Sequence, residues 1–300
     1  MFNKVPAILF ADDVVLISTS ISGLQRQLDK VDRYCEKWNL VVNIKKTKIV
    51  VFKRGAKLKR TEQWRYKGED IQVVKQFQYL GLSFSFNNLW NTHLADKAIN
   101  CNYIMSRLLT FVYKHKECSL NLFLKLFDSL ISSSMLYGAE IFAFSPKIDI
   151  LERIERKFYR RVLGIPNGIP GVALNLLLNR IGIAEKSKIR SLLFWHTSNN
   201  REDSHLGTLA LQQQTEWGNR GLQSWGLNIK NLIQKSGFAF IWEAPRAISR
   251  GKFKNSIKRR LADISKSAKM VETKKFKSAN YLSNENLKAT QNRIYALKSQ

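Results

Sequence analysis

The first ninety residues contain short apolar runs separated by polar turns, a pattern typical of β-strands. Two such runs, at 5–10 and 14–18, flank the turn Ala11-Asp12-Asp13 and predict a hairpin. A helix should follow, because apolar residues from Leu24 to Trp38 recur at spacings of three and four, with a capping box at Ser22 and Gln25. Further strands are predicted at 40–44 and 48–52, as a hairpin, and at 71–74 and 77–84.

The hydrophobic period becomes helical from about residue 91. The apolar face of the first predicted helix is formed by Leu94, Ala98, Cys101, Met105, Leu108 and Val112. Further helices are predicted at 122–137, ended by Gly138, at 148–163, ended by Gly164 and Pro166, and at 184–196. The last of these should carry Lys186, Lys188 and Arg190 on its outer surface. Residues 198–222 are rich in Asn, Gln, Gly and Ser and predict a polar linker, which a partly apolar and then very basic segment follows.

The charge of the chain points to a polyanionic partner. Lys and Arg number 50 against 23 Asp and Glu, a formal net charge of +27, so nucleic acid is the natural partner. An anionic membrane is not expected, because the sequence has neither a lipidation signal nor an apolar run of spanning length. Three cysteines without a CxxC pair, and acidic residues inside the apolar amino terminus, predict a nuclear or cytoplasmic protein that is not secreted.

The adjacent carboxylates Asp12 and Asp13 are the candidate chemistry. An acidic pair in a turn between two strands can present both carboxylates to a hard cation such as Mg²⁺. In two-metal phosphoryl transfer such carboxylates come from more than one place in the chain. Taken alone, however, the pair is more simply interpreted as a solvated turn.

An ordered series of motifs changes that interpretation. The chain resembles the reverse transcriptases of LINE (non-LTR) retrotransposons in FADDVVLIS at 10–18, NIKKTKIVVF at 43–52, FQYLGLSF at 77–84, LYGAEIF at 136–142 and IERKFYRRVLGIP at 154–166. The resemblance implies an α+β fold that begins with a truncated polymerase palm, antiparallel strands plus a helix, at 1–88. It implies a mostly α-helical, thumb-like region at 89–197. The linker at 198–222 and a basic carboxy-terminal region at 223–300 would complete the chain.

The same resemblance assigns site residues. It implies that Asp12 and Asp13 are catalytic and hold Mg²⁺, and that Lys46 of the N-x-x-K-T pattern contacts the phosphates of the incoming nucleotide. The positions implied to lie close to the primer backbone are Tyr79, Leu80 and Gly81. A glycine would allow another backbone to approach closely, although an ordinary β-bulge is the simpler alternative.

Two basic segments are candidates for contact with the nucleic-acid backbone. The first is the polar side of the helix at 148–163, with Arg153, Arg156, Lys157, Arg160 and Arg161. A solvated helix surface is the alternative there, supported by Glu152 and Glu155. In the basic tail, Arg259 and Arg260 are interleaved with Phe253 and Phe276 and could hold single-stranded RNA by phosphate attraction and stacking. The tail aromatics could equally belong to a core.

The implied function is a fragment of an RNA-directed DNA polymerase. Its partners would be an RNA template, a DNA primer or RNA–DNA duplex, and deoxynucleoside triphosphates. The family also uses an aspartate on an earlier strand, and the nine residues before Phe10 leave no room for it. We therefore expect this chain alone to be inactive. A non-catalytic nucleic-acid-binding protein is the alternative.

A zinc site is rejected at the sequence level. The candidate ligands are His93, Cys101, His115 and Cys118. If the segment is one continuous helix, its end histidines lie roughly 33 Å apart, too far for one coordination sphere.

Overall fold

A computed structural model of the chain describes residues 7–53, 62–87, 89–115, 119–165, 170–201 and 206–274. The chain divides into two compact units, Met1–His93 and Leu94–Gln300. In the described part, strands occur in the first unit and helices dominate the second, as expected for an α+β chain with a helical carboxy-terminal region. No helix of the described ranges combines the length and apolar character that a bilayer crossing requires.

The described part of the first unit contains three antiparallel strand pairs and a helix. Strand β1 (Ala7–Phe10) pairs with β2 (Asp13–Leu16), and helix α1 (Ile21–Lys37) follows. The other pairs are β3 (Arg65–Tyr66) with β4 (Glu69–Asp70) and β5 (Gln76–Tyr79) with β6 (Leu82–Ser85). The predicted hairpin at 5–18 and the helix after it are thus confirmed. The helix cap is Ser20 and not Ser22, because Ser20 is extended and its hydroxyl accepts from the Gly23 N–H at 3.1 Å.

Residues 40–52 do not form the predicted hairpin. Asn43 begins a tight turn there, since its carbonyl accepts from the Thr47 N–H at 2.9 Å. The only regular pairing in this stretch is a parallel bridge between Ile49 and Val73. That bridge also replaces the strand predicted at 71–74, so in both stretches the β-prone sequence does not produce a paired strand.

Hydrogen bonds between α1 and the chain around β3 stabilise the small core of the first unit. Leu28 of α1 is buried with Ile49, Trp64, Tyr66 and Ile71. The Gln25 amide donates to the Arg65 carbonyl at 2.9 Å and accepts from the Arg65 N–H at 3.0 Å. The Trp64 indole donates to the Ile21 carbonyl at 3.0 Å. The two Gln25 bonds satisfy both backbone groups of Arg65 in the short strand β3.

The second unit is helical. Its elements are α2 (Asn91–Lys114), α3 (Leu120–Leu126), a π-helical turn (Phe127–Ser132), α4 (Ser133–Leu136), α5 (Ala139–Phe142), α6 (Asp149–Leu163), α7 (Gly171–Leu177), α8 (Ile183–Asn199), α9 (Leu206–Asn219), α10 (Trp225–Lys235), α11 (Ala239–Glu243), a 3-10 turn (Pro245–Ala247) and α12 (Arg250–Lys274). The four predicted helices are confirmed, and every residue of the predicted apolar face of α2 is buried. Gly138 and Gly164 adopt left-handed φ values of 73° and 64° and end helical segments, as the sequence predicts.

The segment at 198–222 differs from the predicted polar linker. Helix α9 occupies 206–219, and it packs with α8, α10, α11 and α12 around one core. That core contains Ile189, Leu192, Trp195, Leu211, Ile229, Ile233, Ile241, Trp242, Phe253, Ile257 and Leu261. The buried residues of α9 are Thr208, Leu211 and Gly218, so a single large apolar side chain marks its buried side and hydrophobic spacing does not reveal the helix.

Candidate active site and nucleic-acid interface

The β1–β2 turn presents the two candidate carboxylates to solvent. Phe10 pairs with Asp13, which leaves Ala11 and Asp12 as the two turn residues. Ala11 has a φ of 52°, a conformation that costs a residue with a Cβ roughly 1–2 kcal/mol. Asp12 and Asp13 are both exposed. The turn is therefore a strained, accessible support for adjacent carboxylates.

The donor chemistry of the turn suits a hard cation, since carboxylate oxygens are the ligands that Mg²⁺ prefers. Within the described ranges, no cluster of three or more His, Cys, Asp or Glu side chains is placed to hold a metal ion. The acids of α1 have other partners: Asp29 accepts from Gln25 at 2.8 Å, and Asp32 lies 3.4 Å from the ammonium of Lys67. The turn can thus supply two ligands of a metal site.

The N-x-x-K-T motif forms the tight turn at Asn43. The Lys46 N–H donates to both the carbonyl and the Oδ1 of Asn43 at 3.1 Å, and the Thr47 hydroxyl donates to the same carbonyl at 2.9 Å. The Lys46 side chain is exposed. The side chains of Asn43 and Thr47 therefore stabilise the turn that carries Lys46. In the described ranges, no hydrogen bond or ion pair joins Lys46 to Asp12 or Asp13.

The β5–β6 hairpin carries the three primer-binding candidates at its tip. Tyr79 pairs with Leu82, so Leu80 and Gly81 form a two-residue turn. Both have positive φ, 47° and 75°, as a type I′ turn requires. The simpler alternative of a β-bulge at Gly81 is wrong, because the ladder is regular on both sides. Gly81 is needed for its backbone conformation.

The five cations predicted on α6 separate into two groups. Arg153, Lys157 and Arg161 are exposed, and their spacing of four residues places successive side chains about 6 Å apart along the helix. We call these three residues the α6 cationic stripe. Arg156 is half-buried, pairs with Glu152 at 2.5 Å and packs over Gly171; Arg160 is also half-buried. Of the five cations, only the three of the α6 cationic stripe are exposed enough to contact a phosphate backbone.

Glu155 belongs to the interior, and its use as support for a solvated surface is wrong. Its side chain is 1% exposed, and its carboxylate accepts from the Tyr159 hydroxyl at 3.0 Å and the Ile183 N–H at 3.2 Å. Burial raises the pKa of this carboxyl, while the Lys186 ammonium, 3.9 Å away, acts in the opposite direction. Lys186 therefore faces this network and not the outer surface predicted for it.

The network continues from Tyr159 to the π-helical turn. The Arg180 Nε donates to the Tyr159 hydroxyl at 2.9 Å, and the same guanidinium pairs with Asp128 of the π-helical turn. Lys186 lies 3.5 Å from the same Asp128 carboxylate. Three helical segments are thus joined around the buried Glu155. The sequence signal for this network was an acid at position 155, next to the buried Ile154 of α6.

Two aromatic residues of the carboxy-terminal region, Phe253 and Trp242, are core residues. Phe253 is fully buried and stacks on His196 with ring centres 4.7 Å apart, so its predicted stacking on bases is wrong. Trp242 stacks on Trp195 at 5.4 Å. Arg259 and Arg260 are exposed, and Arg260 donates to the Ser236 carbonyl at 3.3 Å, after the end of α10. Phe276 lies outside the described residues.

Comparison with known proteins shows what the region around the β1–β2 turn is similar to. The model of the family "Reverse transcriptase (RNA-dependent DNA polymerase)" matches residues 1–84. The RNA-directed DNA polymerase from mobile element jockey of Drosophila melanogaster is 21% identical over 165 residues, which cover 52% of this chain and 18% of that protein. The "Probable RNA-directed DNA polymerase from transposon BS" of the same fly is 22% identical over 185 residues, 59% of this chain and 20% of that protein.

A third relative is a transposon-derived protein of Caenorhabditis elegans, 26% identical over 159 residues, which cover 52% of this chain and 56% of that protein. No solved structure matches the chain significantly. The chain spans about one fifth of the length of the two fly polymerases that it matches. These matches show that residues 1–84 are similar to part of the reverse transcriptase family, and that more than half of the chain is similar to a part of two transposon RNA-directed DNA polymerases, in agreement with the ordered motifs.

Proposed function

We propose that this chain is part of an RNA-directed DNA polymerase that adds deoxynucleotides to a DNA primer on an RNA template. The observation that carries the proposal is the exposed carboxylate pair on the β1–β2 turn, inside the region that matches the reverse transcriptase family. Reverse transcriptases generally use divalent metal ions. The turn has the donor chemistry for that requirement.

Each candidate residue has a role that its geometry permits. Asp12 and Asp13 would hold Mg²⁺, which when bound stabilises charge on the attacking and leaving oxygens of phosphoryl transfer. Lys46 is held on a fixed turn with an exposed ammonium, which suits contact with a triphosphate. The tip of the β5–β6 hairpin would lie along the primer backbone. The glycine in this tight turn has no Cβ, so the primer backbone could approach the turn closely.

Two carboxylates on one turn are an incomplete ligand set for two metal ions. The described ranges place no third ligand beside them. We therefore propose that this polypeptide alone binds Mg²⁺ weakly and does not extend a primer. In the longer polymerase, further ligands would come from another part of the protein.

Paramagnetic Mn²⁺ tests the role of the turn. Added to the isotope-labelled full chain, Mn²⁺ should broaden the amide signals of residues 11–14, and Asp12→Asn with Asp13→Asn should abolish this effect. Glu69→Gln with Asp70→Asn removes an equally exposed adjacent acidic pair from β4 and should leave the broadening unchanged. Broadening that survives the change at the turn would reject the proposed metal ligands.

Primer extension tests the proposed inactivity of the chain. The assay uses an RNA template, a DNA primer, deoxynucleoside triphosphates and Mg²⁺, with the wild-type chain and the two single variants Asp12→Asn and Asp13→Asn. We expect no extension from any of them. Extension by the wild-type chain that either substitution abolishes would mean that these residues already form a complete catalytic site.

A second candidate function is non-catalytic binding of nucleic acid. The α6 cationic stripe favours it, because three exposed cations at regular spacing can contact successive phosphates of an RNA–DNA duplex. This function does not require the metal site, so the Asn variants at the β1–β2 turn should not weaken it. With nucleic acid as the partner, a nuclear or cytoplasmic location is part of the proposal.

A further inference from the structure

A cleft of about 370 Å³ opens beside the amino-terminal end of α12, within the second unit. One wall is the end of α8 with the residues that follow it, and the other is the segment that leads from the 3-10 turn into α12. Three arginines line the cleft: Arg201, Arg246 and Arg250. Among the lining residues that the structure describes, none is acidic.

The three guanidinium groups give the cleft its charge. All three arginines are exposed, and in the described ranges none of them forms an ion pair with a carboxylate. The Arg250 Nε donates to the Thr197 hydroxyl at 3.0 Å, which fixes one guanidinium at the cleft wall. Guanidinium groups bind phosphate oxygens through paired, charge-assisted hydrogen bonds. The cleft therefore has the charge and the donors that a phosphate requires.

His196 joins the two walls and keeps the cleft in shape. It is 1% exposed, and its Nε2 lies 3.0 Å from the Ile248 carbonyl, so this nitrogen must carry the proton and donate. The Asn200 amide donates to the His196 carbonyl at 2.8 Å. Burial lowers the pKa of His196, while hydrogen bonds to the carbonyls of Ile248 and Pro245 act in the opposite direction and the charge of Arg250 adds to the lowering. The imidazole is thus a neutral brace, and the arginines supply the positive charge.

The first turn of α12 adds backbone donors to the same cleft. The helix is 25 residues long, begins at Arg250 and is preceded by Ser249, both of which line the cleft. Gly251 follows, and a Cβ built there would meet nothing within 4 Å. The backbone N–H groups of a first helical turn attract anions, and a glycine lets an anion approach them closely. The Lys252 N–H already donates to the Ser249 hydroxyl at 3.5 Å, which leaves the N–H groups of Arg250 and Gly251 as the donors for an anion.

We propose that this cleft binds a phosphate group in the backbone of a single-stranded nucleic acid, with Arg201 and Arg246 clamping the phosphate against the first turn of α12. The phosphate affinity follows from the cleft itself. The assignment of that phosphate to a nucleic-acid strand rests on the proposed function.

Titration of the isotope-labelled full chain with inorganic phosphate tests the cleft directly. The amide signals of Gly251 and Lys252 should shift and saturate. Arg201→Gln with Arg246→Gln should weaken this binding by about tenfold or more, since hydrogen bonds to a charged group are lost. Lys254→Gln with Lys258→Gln removes the same charge from the same helix outside the cleft and should bind phosphate as the wild type does. Absence of saturation in the wild type, or equal weakening by both double variants, would overturn the site.

A second variant tests the role of the helix terminus without touching an arginine. Gly251→Ala places a Cβ in open space, so folding should be retained, while phosphate approach to the first-turn amides becomes hindered. We expect weaker phosphate binding in a chain with unchanged thermal unfolding. Unchanged phosphate binding would reject the contact with the first turn of α12.

A short oligouridylate distinguishes a strand from a free anion. It should shift the same two amide signals, displace inorganic phosphate and bind less tightly to the Arg201→Gln, Arg246→Gln chain. If phosphate binds but the oligouridylate does not compete, the cleft takes a small free anion and the strand assignment is wrong. If Mn²⁺ does not broaden the signals around Asp12 and Asp13 in the wild-type chain, the polymerase role is rejected, but the phosphate-induced shifts at the cleft are unaffected. The failure of the proposed function and the failure of the cleft proposal can therefore be told apart.

Discussion

Non-glycine residues in left-handed conformation mark the three hairpin turns of the first unit: Ala11, Lys67 and Leu80. Two of them lie in turns that carry candidate site residues. Lys67 lies in a third, where its ammonium is 3.4 Å from both Asp32 and Glu36. Strain alone therefore does not identify a site. It becomes informative at Ala11 because the adjacent residues are exposed carboxylates.

Ala11→Gly should stabilise the first unit by about 1 kcal/mol, since glycine adopts positive φ without a Cβ clash. The measurement is denaturant unfolding followed by amide signals of β1 and β2. Ala7→Gly is the matched control, because Ala7 lies within β1 and its replacement should destabilise the strand by about 0.5–1 kcal/mol. A destabilised Ala11→Gly chain would contradict the left-handed conformation at this turn.

Glu155 should make the stability of the second unit depend on pH. Burial raises the pKa of this carboxyl above its ordinary value of 4.5, so the folded protein binds the proton more tightly than the unfolded chain. Its contribution is fully present below the unfolded pKa and is lost as pH rises through the folded pKa. Glu155→Gln cannot ionise, so the variant should gain stability relative to the wild type as pH rises above about 4.5.

Denaturant unfolding of both chains over a pH series gives this difference. Glu243→Gln, an exposed substitution on α11, is the control and should follow the wild-type profile. Parallel profiles for the wild type and Glu155→Gln would mean that the carboxyl titrates alike in the folded and unfolded chains.

Elements with a strong hydrophobic period could be predicted from sequence, and elements without one could not. Helices α2 and α6 have buried faces of large apolar residues, which hydrophobic spacing reveals directly. Helix α9 buries Thr208 and Gly218, so its period is hidden. Residues 40–52 are β-prone but are held by the side chain of Asn43, a local bond that propensity does not count. The Asp12 and Asp13 turn was predictable because both strands and motif order agree there.

Gly226 should be the most sensitive small residue of the second unit. A Cβ at this position would lie 1.8 Å from the Gln214 carbonyl oxygen, so Gly226→Ala must separate α9 from α10 or distort one of them. We expect a loss of about 2 kcal/mol or more in the free energy of unfolding, as for other overpacked sites. Gly251→Ala, which meets open space on a helix, is the matched control and should be neutral or stabilising.

Thermal and denaturant unfolding of the second unit measure both variants. Equal stability of the Gly226→Ala and Gly251→Ala chains would contradict the close packing of α9 on α10. It would also restore the interpretation of 198–222 as a linker.

At the scale of the whole molecule, the excess of positive charge attracts polyanions, but only exposed cations can contact phosphates. The predicted basic face of α6 shows the distinction. Arg156 and Arg160 are half-buried and serve the fold, whereas Arg153, Lys157 and Arg161 are accessible. Sequence spacing separates a polar from an apolar side of a helix, but it does not tell which cations a neighbouring element covers. That information depends on tertiary packing.

Replacing the α6 cationic stripe with Gln should reduce the salt dependence of binding to an RNA–DNA duplex. The slope of log K against log salt concentration should fall by about 0.9 for each cation that neutralises a phosphate, on the coefficient for B-form DNA. Lys157 and Arg161 contribute in full, whereas Arg153 is already paired with Asp149. Binding measured over a range of NaCl concentrations gives the slope. Lys30→Gln, Arg33→Gln and Lys37→Gln remove the same charge from exposed positions of α1 and form the control. Equal slopes for the two triple variants would mean that only net charge matters.

The basic helix α12 also supplies Phe253, Ile257 and Leu261 to the core of the second unit. The surface that attracts a polyanion and the face that completes the core are therefore two sides of one element. Binding of a strand to the outer side can occur fully only when the inner side is packed. By mass action, nucleic acid should then act as a folding ligand for this unit and raise its unfolding temperature in proportion to the logarithm of its concentration.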